Sequence, residues 1–252
     1  MPILSLPTVS LYYERLGPAG APPMLLLHGA TETFHDGWAK QLDTFRQRYH
    51  VIGVDLRGHG RSINRVDRLD LRDMADDMAA LLDHLRLPTA HVCGFSGGGS
   101  VALYLAQRHL PRLRTLVLVS SNFELDRVRT GPTQFWNPAR VRREEPVWWQ
   151  AMERLHETDT AQLLRWWHQE DLLRPNFTQA DLQQITVATL LIAGDRDPII
   201  PLAQTMRFYH GLPHAQLAVL PGAGHGIPRR RPAQFNRLVL NFLHHAHADG
   251  PP

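Results

Sequence analysis

Ser96 stands at the centre of Gly94-Phe95-Ser96-Gly97-Gly98, a spacing that suits a serine presented as a nucleophile. A serine hydroxyl is weak at its own pKa, so it needs a neighbouring base and a turn that projects its oxygen. Glycines on both sides serve such a turn, because a chain without Cβ atoms can pass close to itself. The matching base is an imidazole, which takes and returns a proton near neutral pH. A carboxylate behind it would fix the tautomer and stabilise the charged ring. The chain carries 15 histidines, so composition alone leaves the base open. His225 has the most suitable setting, a flexible Pro221-Gly222-Ala223-Gly224-His225-Gly226 loop just after an apolar run. For the acid, Asp195 and Asp197 compete, since both follow the apolar run that ends at Ala193. The pentapeptide by itself also occurs in glycine-rich loops, so its meaning depends on what flanks it.

The flanking elements read as strands alternating with helices. Apolar runs at Pro23 to Leu27, Tyr49 to Val54, Ala90 to Cys93, Leu113 to Val119, Ala188 to Ala193 and Ala215 to Leu220 suit buried strands. Leu69 to Leu85 reads as a helix, with Met74, Met78, Leu81, Leu82 and Leu85 at helical spacing. Val101 to Gln107 and Gln234 to His244 read similarly. This alternation predicts βαβ units and an α/β fold with a mostly parallel, doubly wound sheet. Ligands in such folds sit beyond the carboxyl ends of the strands. His28, Asp55, Ser96, Asp197 and His225 all fall at or just after those ends. From about Asn122 to Gln184 the alternation stops, and five of the six tryptophans gather there: Trp136, Trp148, Trp149, Trp166 and Trp167. Helical patches at Val147 to Leu155 and Thr160 to Leu173 predict a small helical cap, residues 122–184, inserted into a core of residues 1–121 and 185–252.

Composition narrows the classes. A length of 252 residues fits one α/β domain, and an apolar share of 43% with 20% charged residues is that of a globular protein rather than a disordered one. The single cysteine, Cys93, excludes an intrachain disulfide. No apolar run nears the roughly 20 residues that cross a bilayer. Met1 to Val9 has two prolines and no charged side chain, unlike a secretory leader, so a cytoplasmic protein without membrane association is expected. The net charge is +3 and the basic side chains are nearly all arginine, spread among acids. That dispersion argues against nucleic acid as a partner. The dense exception is Arg229-Arg230-Arg231, read as a solvated turn or as an influence on the approach of anionic substrates. His244-His245-Ala246-His247 reads as a polar tail.

The chain resembles the α/β-hydrolases from about Leu11 to Phe242. Four motifs carry the resemblance: Leu25-Leu26-Leu27-His28-Gly29-Ala30, Asp55-Leu56-Arg57-Gly58-His59-Gly60-Arg61-Ser62, Gly94-Phe95-Ser96-Gly97-Gly98-Gly99, and Gly194-Asp195-Arg196-Asp197-Pro198-Ile199-Ile200-Pro201 with Gly224-His225. The likeness is to the small carboxylesterases, enol-lactonases and valacyclovir-hydrolase-like members. It implies the order serine, acid, histidine, which selects Ser96, Asp197 and His225. The family pattern Gly-x-x-Asp-x-x-x-Pro prefers Asp197 and leaves Asp195 as a turn residue. Glu124 or Asp126, after the preceding strand, are the alternative acids. The resemblance gives His28 a structural role and makes Asp55 to Ser62 loop architecture. The oxyanion donors are expected to be the backbone N–H of Gly97 and that of Ala30, with Thr31 as runner-up.

The substrate is less legible. The resemblance implies a carboxylic ester as a small-molecule partner, cleaved through an acyl-enzyme. A lactonase, a carbon–carbon bond hydrolase, a cofactor-free perhydrolase or a hydrolase-like small-molecule receptor are the alternatives. Epoxide hydrolases and haloalkane dehalogenases of this fold carry aspartate where Ser96 stands. Thr31, Phe95, Phe123, Trp136, Trp148 and Trp149 are the candidate pocket residues, the tryptophans competing with a purely structural role in burying the cap. The triad chemistry implies no metal and no organic cofactor, and the oligomeric state is left open.

Overall fold

In the computed structural model, which describes residues 2–124, 136–171 and 175–248, the chain opens with two antiparallel strands, β1 (Ile3–Leu6) and β2 (Val9–Leu16). Then follow β3 (Pro23–Leu27), α1 (Phe34–Phe45), β4 (His50–Val54), the short β5 (Ile63–Asn64) and α2 (Leu71–His84). The centre is β6 (Ala90–Phe95), α3 (Gly97–His109) and β7 (Leu113–Val119). Four helices come next: α4 (Pro138–Glu144), α5 (Pro146–Leu155), α6 (Thr160–Asp171) and α7 (Gln179–Gln183). The chain then returns through β8 (Thr189–Gly194), α8 (Leu202–Gly211), β9 (Ala215–Leu220), α9 (Ile227–Arg230) and α10 (Pro232–Ala248).

The strands run β1-β2-β4-β3-β6-β7-β8-β9, with β5 paired to β2. From β4 to β9 every pairing is parallel, and β3, β4, β6 and β8 are buried along their whole length. A strand covered on both faces must be apolar throughout, which is why these elements read as continuous runs rather than alternations. α2, α3 and α8 cover one face, with Met74, Leu81, Val101, Leu105 and Phe208 in its core. α1, α9 and α10 cover the other, around Trp38, Phe45, Ile227, Phe235 and Leu243. Each fully buried Leu, Ile or Phe of these layers contributes about 1.5–3 kcal/mol through loss of apolar surface to water.

Sequence and structure differ in several places, among them the following. α3 begins at Gly97, four residues before the expected start at Val101. Triple glycine has poor helix propensity, but any side chain on Gly98 would collide with the carbonyls of Leu27 and His28. Close packing of α3 against β3 therefore decides the helix start. The antiparallel β1 and β2, and helices α1 and α8, were not foreseen. Of the helix expected over Thr160 to Leu173, the part through Asp171 is observed, and residues 172–173 lie outside the described set.

Among the described residues no helix is long and apolar enough to cross a membrane. The helices α4 to α7 occupy the described part of the segment between β7 and β8. They dock onto the core by polar contacts. Asp67 accepts from Trp166 Nε1 and Gln162 Nε2, and Gly60 bonds Glu157 and His156.

Candidate active site

β6 ends in a turn that forces Ser96 to φ +50°, ψ −120°, where L-residues are strained, and α3 starts at the next residue. Gly94 permits the turn, because a Cβ there would lie 2.5 Å from the carbonyl oxygen of Gly98. The Ser96 N–H donates to Val119 O (3.0 Å), which ties the turn to β7.

His225 comes from the loop after β9. Its Nε2 lies 2.9 Å from Ser96 Oγ, and its Nδ1 lies 2.9 Å from Asp197 Oδ2. With the proton on Nδ1, the ring donates to Asp197 and accepts from the Ser96 hydroxyl. Asp197, after β8, is fixed on its other oxygen by the N–H groups of Ile199 (2.8 Å) and Ile200 (2.9 Å). Burial pushes its carboxyl up, but the His225 bond and charge together with those two N–H donors outweigh it. The group is held below the usual carboxylate range and stays ionised. Asp195, the competing acid, instead accepts from the Gly222 N–H (2.6 Å) and shapes the turn. Glu124 pairs with Arg207, and Asp126 lies outside the described residues.

The backbone of Ala30 lies close to that of Gly97, the residue after Ser96. A methyl group placed on Gly97 would sit 3.2 Å from Ala30 N, so the two residues are neighbours. Neither Ala30 N–H nor Gly97 N–H donates to another group among the described residues. The loop that carries Ala30 is pinned from behind. His28 donates through Nδ1 to Gly29 O (2.8 Å) and accepts through Nε2 from Leu56 N–H (2.9 Å). Burial, with His59 nearby, pushes His28 down to about 3, so it is neutral. Asp55 accepts from the N–H groups of Phe34 and Arg61, holding the next loop.

Several participants were not foreseen. Ser120, also at positive φ (+50°), donates to the carbonyl of His225 (2.8 Å) and anchors the histidine loop to the end of β7. Glu32, nearly buried, accepts from Gly29 N–H and pairs with Arg229 (3.2 Å), joining the Ala30 loop to α9. The other two arginines of that run are exposed beside a concavity of about 630 Å3 that borders His225, Gly226 and Pro198. His156, from the helical insertion, accepts from Gly60 N–H (2.8 Å) and donates to Thr31 O (3.3 Å). Burial and then His59 push it down to about 4. His59 Nε2 lies 2.8 Å from Trp167 Nε1 and 2.8 Å from Ala30 O, while its Nδ1 meets Arg57 O at 2.9 Å. A ring protonated on Nδ1 accepts from the Trp167 N–H.

The candidate pocket residues separate. Phe95 packs its ring 5.3 Å from that of His225. Thr31 belongs to the loop after Ala30. Trp136 stacks on Trp167, with centroids 6.2 Å apart. Phe123 is a core residue, 1% exposed, its ring 5.1 Å from Phe208. Trp149, with Trp148 beside it, packs on Val141 and Leu164 inside the insertion. Trp167, noted only as one of five clustered tryptophans, also approaches the site. Its Cη2 would be 2.8 Å from a Cβ on Gly97. Among the described residues no group of three His, Cys, Asp or Glu side chains could hold a metal ion.

Comparison with known proteins agrees with this architecture. The α/β hydrolase fold family matches residues 22–159, and a family described as TAP-like protein matches residues 166–251. A Caulobacter protein assigned as the carbamate hydrolase RutD is 30% identical over 92% of this chain and 95% of its own length. The 3-oxoadipate enol-lactonase 2 of Acinetobacter baylyi is 29% identical, covering 92% of both chains. A crystal structure of a hydrolase from Pseudomonas aeruginosa superposes with a TM-score of 0.80 at 28% identity, over 96% of this chain and 97% of that one. With a mostly parallel sheet, a strained serine after its central strand and this breadth of match, the chain belongs to the α/β-hydrolase family.

Proposed function

We propose that the protein is a serine hydrolase that cleaves carboxylic esters through an acyl-enzyme on Ser96. His225 takes the hydroxyl proton as Ser96 Oγ attacks the acyl carbon. Asp197 keeps the ring in the productive tautomer and stabilises its charged form. The N–H groups of Ala30 and Gly97 receive the oxyanion, each donor of this kind contributing about 2.7–4 kcal/mol to transition-state stabilisation. The tetrahedral intermediate then expels the alcohol, which takes the proton from His225. Water attacks the acyl-enzyme with His225 again as base, releasing the acid and restoring Ser96. The helical insertion, residues 122–184, acts as the cap over this centre.

The observation that carries the reading is the unbroken chain Ser96 Oγ–His225–Asp197, two contacts of 2.9 Å beside two unengaged N–H donors. Relatives named for an enol-lactone and a carbamate support the same chemistry. Both substrates present an acyl carbon joined to a heteroatom leaving group. The test is a panel of p-nitrophenyl esters, lactones and amides with wild type and Ser96→Ala. Ester turnover that vanishes in Ser96→Ala is expected. Equal inactivity of both proteins across the panel would refute the reading.

A further inference from the structure

We propose that Trp167 is a specificity-determining residue that limits the acyl group on Ser96 to a short chain; this rests on the acyl-transfer reading above. The tetrahedral carbon formed on Ser96 has three further substituents. Its oxyanion points to Ala30 and Gly97. Its leaving group must lie beside His225 Nε2, from which it takes a proton. The acyl chain is left with the remaining direction, alongside the oxyanion donors and away from His225.

Trp167 stands beside those donors. The tip of its indole, Cη2, is 2.8 Å from the position a Gly97 Cβ would take, and Ala30 N and Cβ are each 3.2 Å from that point. The ring thus fills the slot that a side chain at position 97 would fill. Glycine at 97 and tryptophan at 167 are complementary, and together they end the space beside the oxyanion donors. The wall is fixed rather than loose. Trp167 is 4% exposed, its Nε1–H is held by His59 at 2.8 Å, and Trp136 stacks on it at an interplanar angle of 19°. A flat aromatic surface gains dispersion contact with a small apolar acyl group, while a longer chain must displace a packed and hydrogen-bonded ring. The substrate class is therefore esters of short acids, with any bulk carried on the leaving-group side.

The experiment compares kcat/KM for p-nitrophenyl acetate and octanoate in wild type, Trp167→Ala and Trp167→Phe, with thermal melts reporting folding. Wild type should prefer acetate. Trp167→Ala should raise the octanoate-to-acetate ratio by about tenfold or more, the scale on which pocket shape discriminates methylene groups. Trp167→Phe keeps an aromatic ring but loses the indole tip and the donor to His59, and its ratio should fall between those of wild type and Trp167→Ala. An unchanged ratio in Trp167→Ala overturns the proposal, and so does a shift in Trp167→Phe as large as in Trp167→Ala. Trp167→Leu replaces Trp167→Ala if the latter does not fold. A second readout separates this proposal from the ester reading: the labelling rates of p-nitrophenyl methylphosphonate and octylphosphonate ethyl esters. There Ser96 attacks phosphorus and p-nitrophenolate leaves, so the ratio reports the acyl-side space even if no carboxylic ester is turned over. Loss of ester turnover with a methyl preference that Trp167→Ala relaxes would overturn only the ester reading. Equal methyl and octyl labelling in wild type would overturn the assignment of Trp167.

Discussion

The side chains of Asp197 and Trp167 are both almost fully enclosed, yet they are held in different ways. Asp197 sits at the end of β8, with two backbone N–H groups on one oxygen and His225 on the other. Its neighbours Ser96 and Ser120 occupy strained backbone positions that the parallel strands on either side hold in place. Trp167 sits on α6 in the insertion and is held by one side-chain hydrogen bond and one ring stack. The groups proposed to move protons follow the strand ends of the sheet. The group that measures the substrate is fixed by side chains of two other segments, which substitution can change without disturbing the sheet. Chemistry and selection thus rest on separate parts of the fold.

The largest break in this comparison should come from the sheet side. Asp197→Asn keeps the shape but favours the wrong His225 tautomer, and kcat on an accepted ester should fall roughly 10⁴-fold with KM little changed. A loss under tenfold would mean that Asp197 does not orient the base.

Acid should act next, through the buried imidazoles behind the Ala30 loop. His28 and His156 are pushed down to about 3 and about 4, against about 6.5 in an unfolded chain. Below about pH 6.5 the unfolded state binds more protons than the folded state, so stability is complete above that pH and falls as the pH drops. His156 alone accounts for about 3 kcal/mol between pH 6.5 and pH 4. Urea midpoints measured from pH 7.5 to 4.5 should fall steadily, whereas a flat profile would mean these rings are not buried and neutral.

His156→Ala attacks the dock between insertion and core. It leaves Gly60 N–H and Thr31 O without partners, a cost of about 1–3 kcal/mol. For a domain of this size each kcal/mol lowers Tm by about 2–4 °C. The variant should also relax chain-length preference in the direction of Trp167→Ala while keeping Ser96 reactive toward a phosphonate. The smallest effect belongs to Asp67→Ala, which removes an exposed acceptor for Trp166 and Gln162 and should cost under about 1 kcal/mol. A larger loss of stability there than in His156→Ala would reverse the proposed ranking of the docking contacts.

The two regions also differed in how far they could be read from the sequence. β3, β7 and β9 match their apolar runs to the residue, and β4, β6 and β8 match theirs to within one or two residues, because strands of a parallel sheet are written as continuous apolar runs, even at the half-exposed edge strand β9. Ser96, Asp197 and His225 each follow such a run within a few residues, and the resemblance to the α/β-hydrolases selected them from the candidates there. The β1–β2 pair carries polar and charged residues among its apolar ones, and its strand signal was correspondingly weak. Ser120 gave no signal, because positive φ in a serine is imposed by tertiary structure. Trp167 was visible as composition only. Its partner His59 lies 108 residues away, and no local pattern links a helix in an insertion to a loop after β4.

The central claim is that Ser96 is the nucleophile, and covalent capture tests it without knowledge of the substrate. A fluorophosphonate probe should label wild type at a single site that peptide mass spectrometry maps to Ser96, with no label in a folded Ser96→Ala variant. Label of equal extent in Ser96→Ala, or mapped to another residue in wild type, would contradict the account.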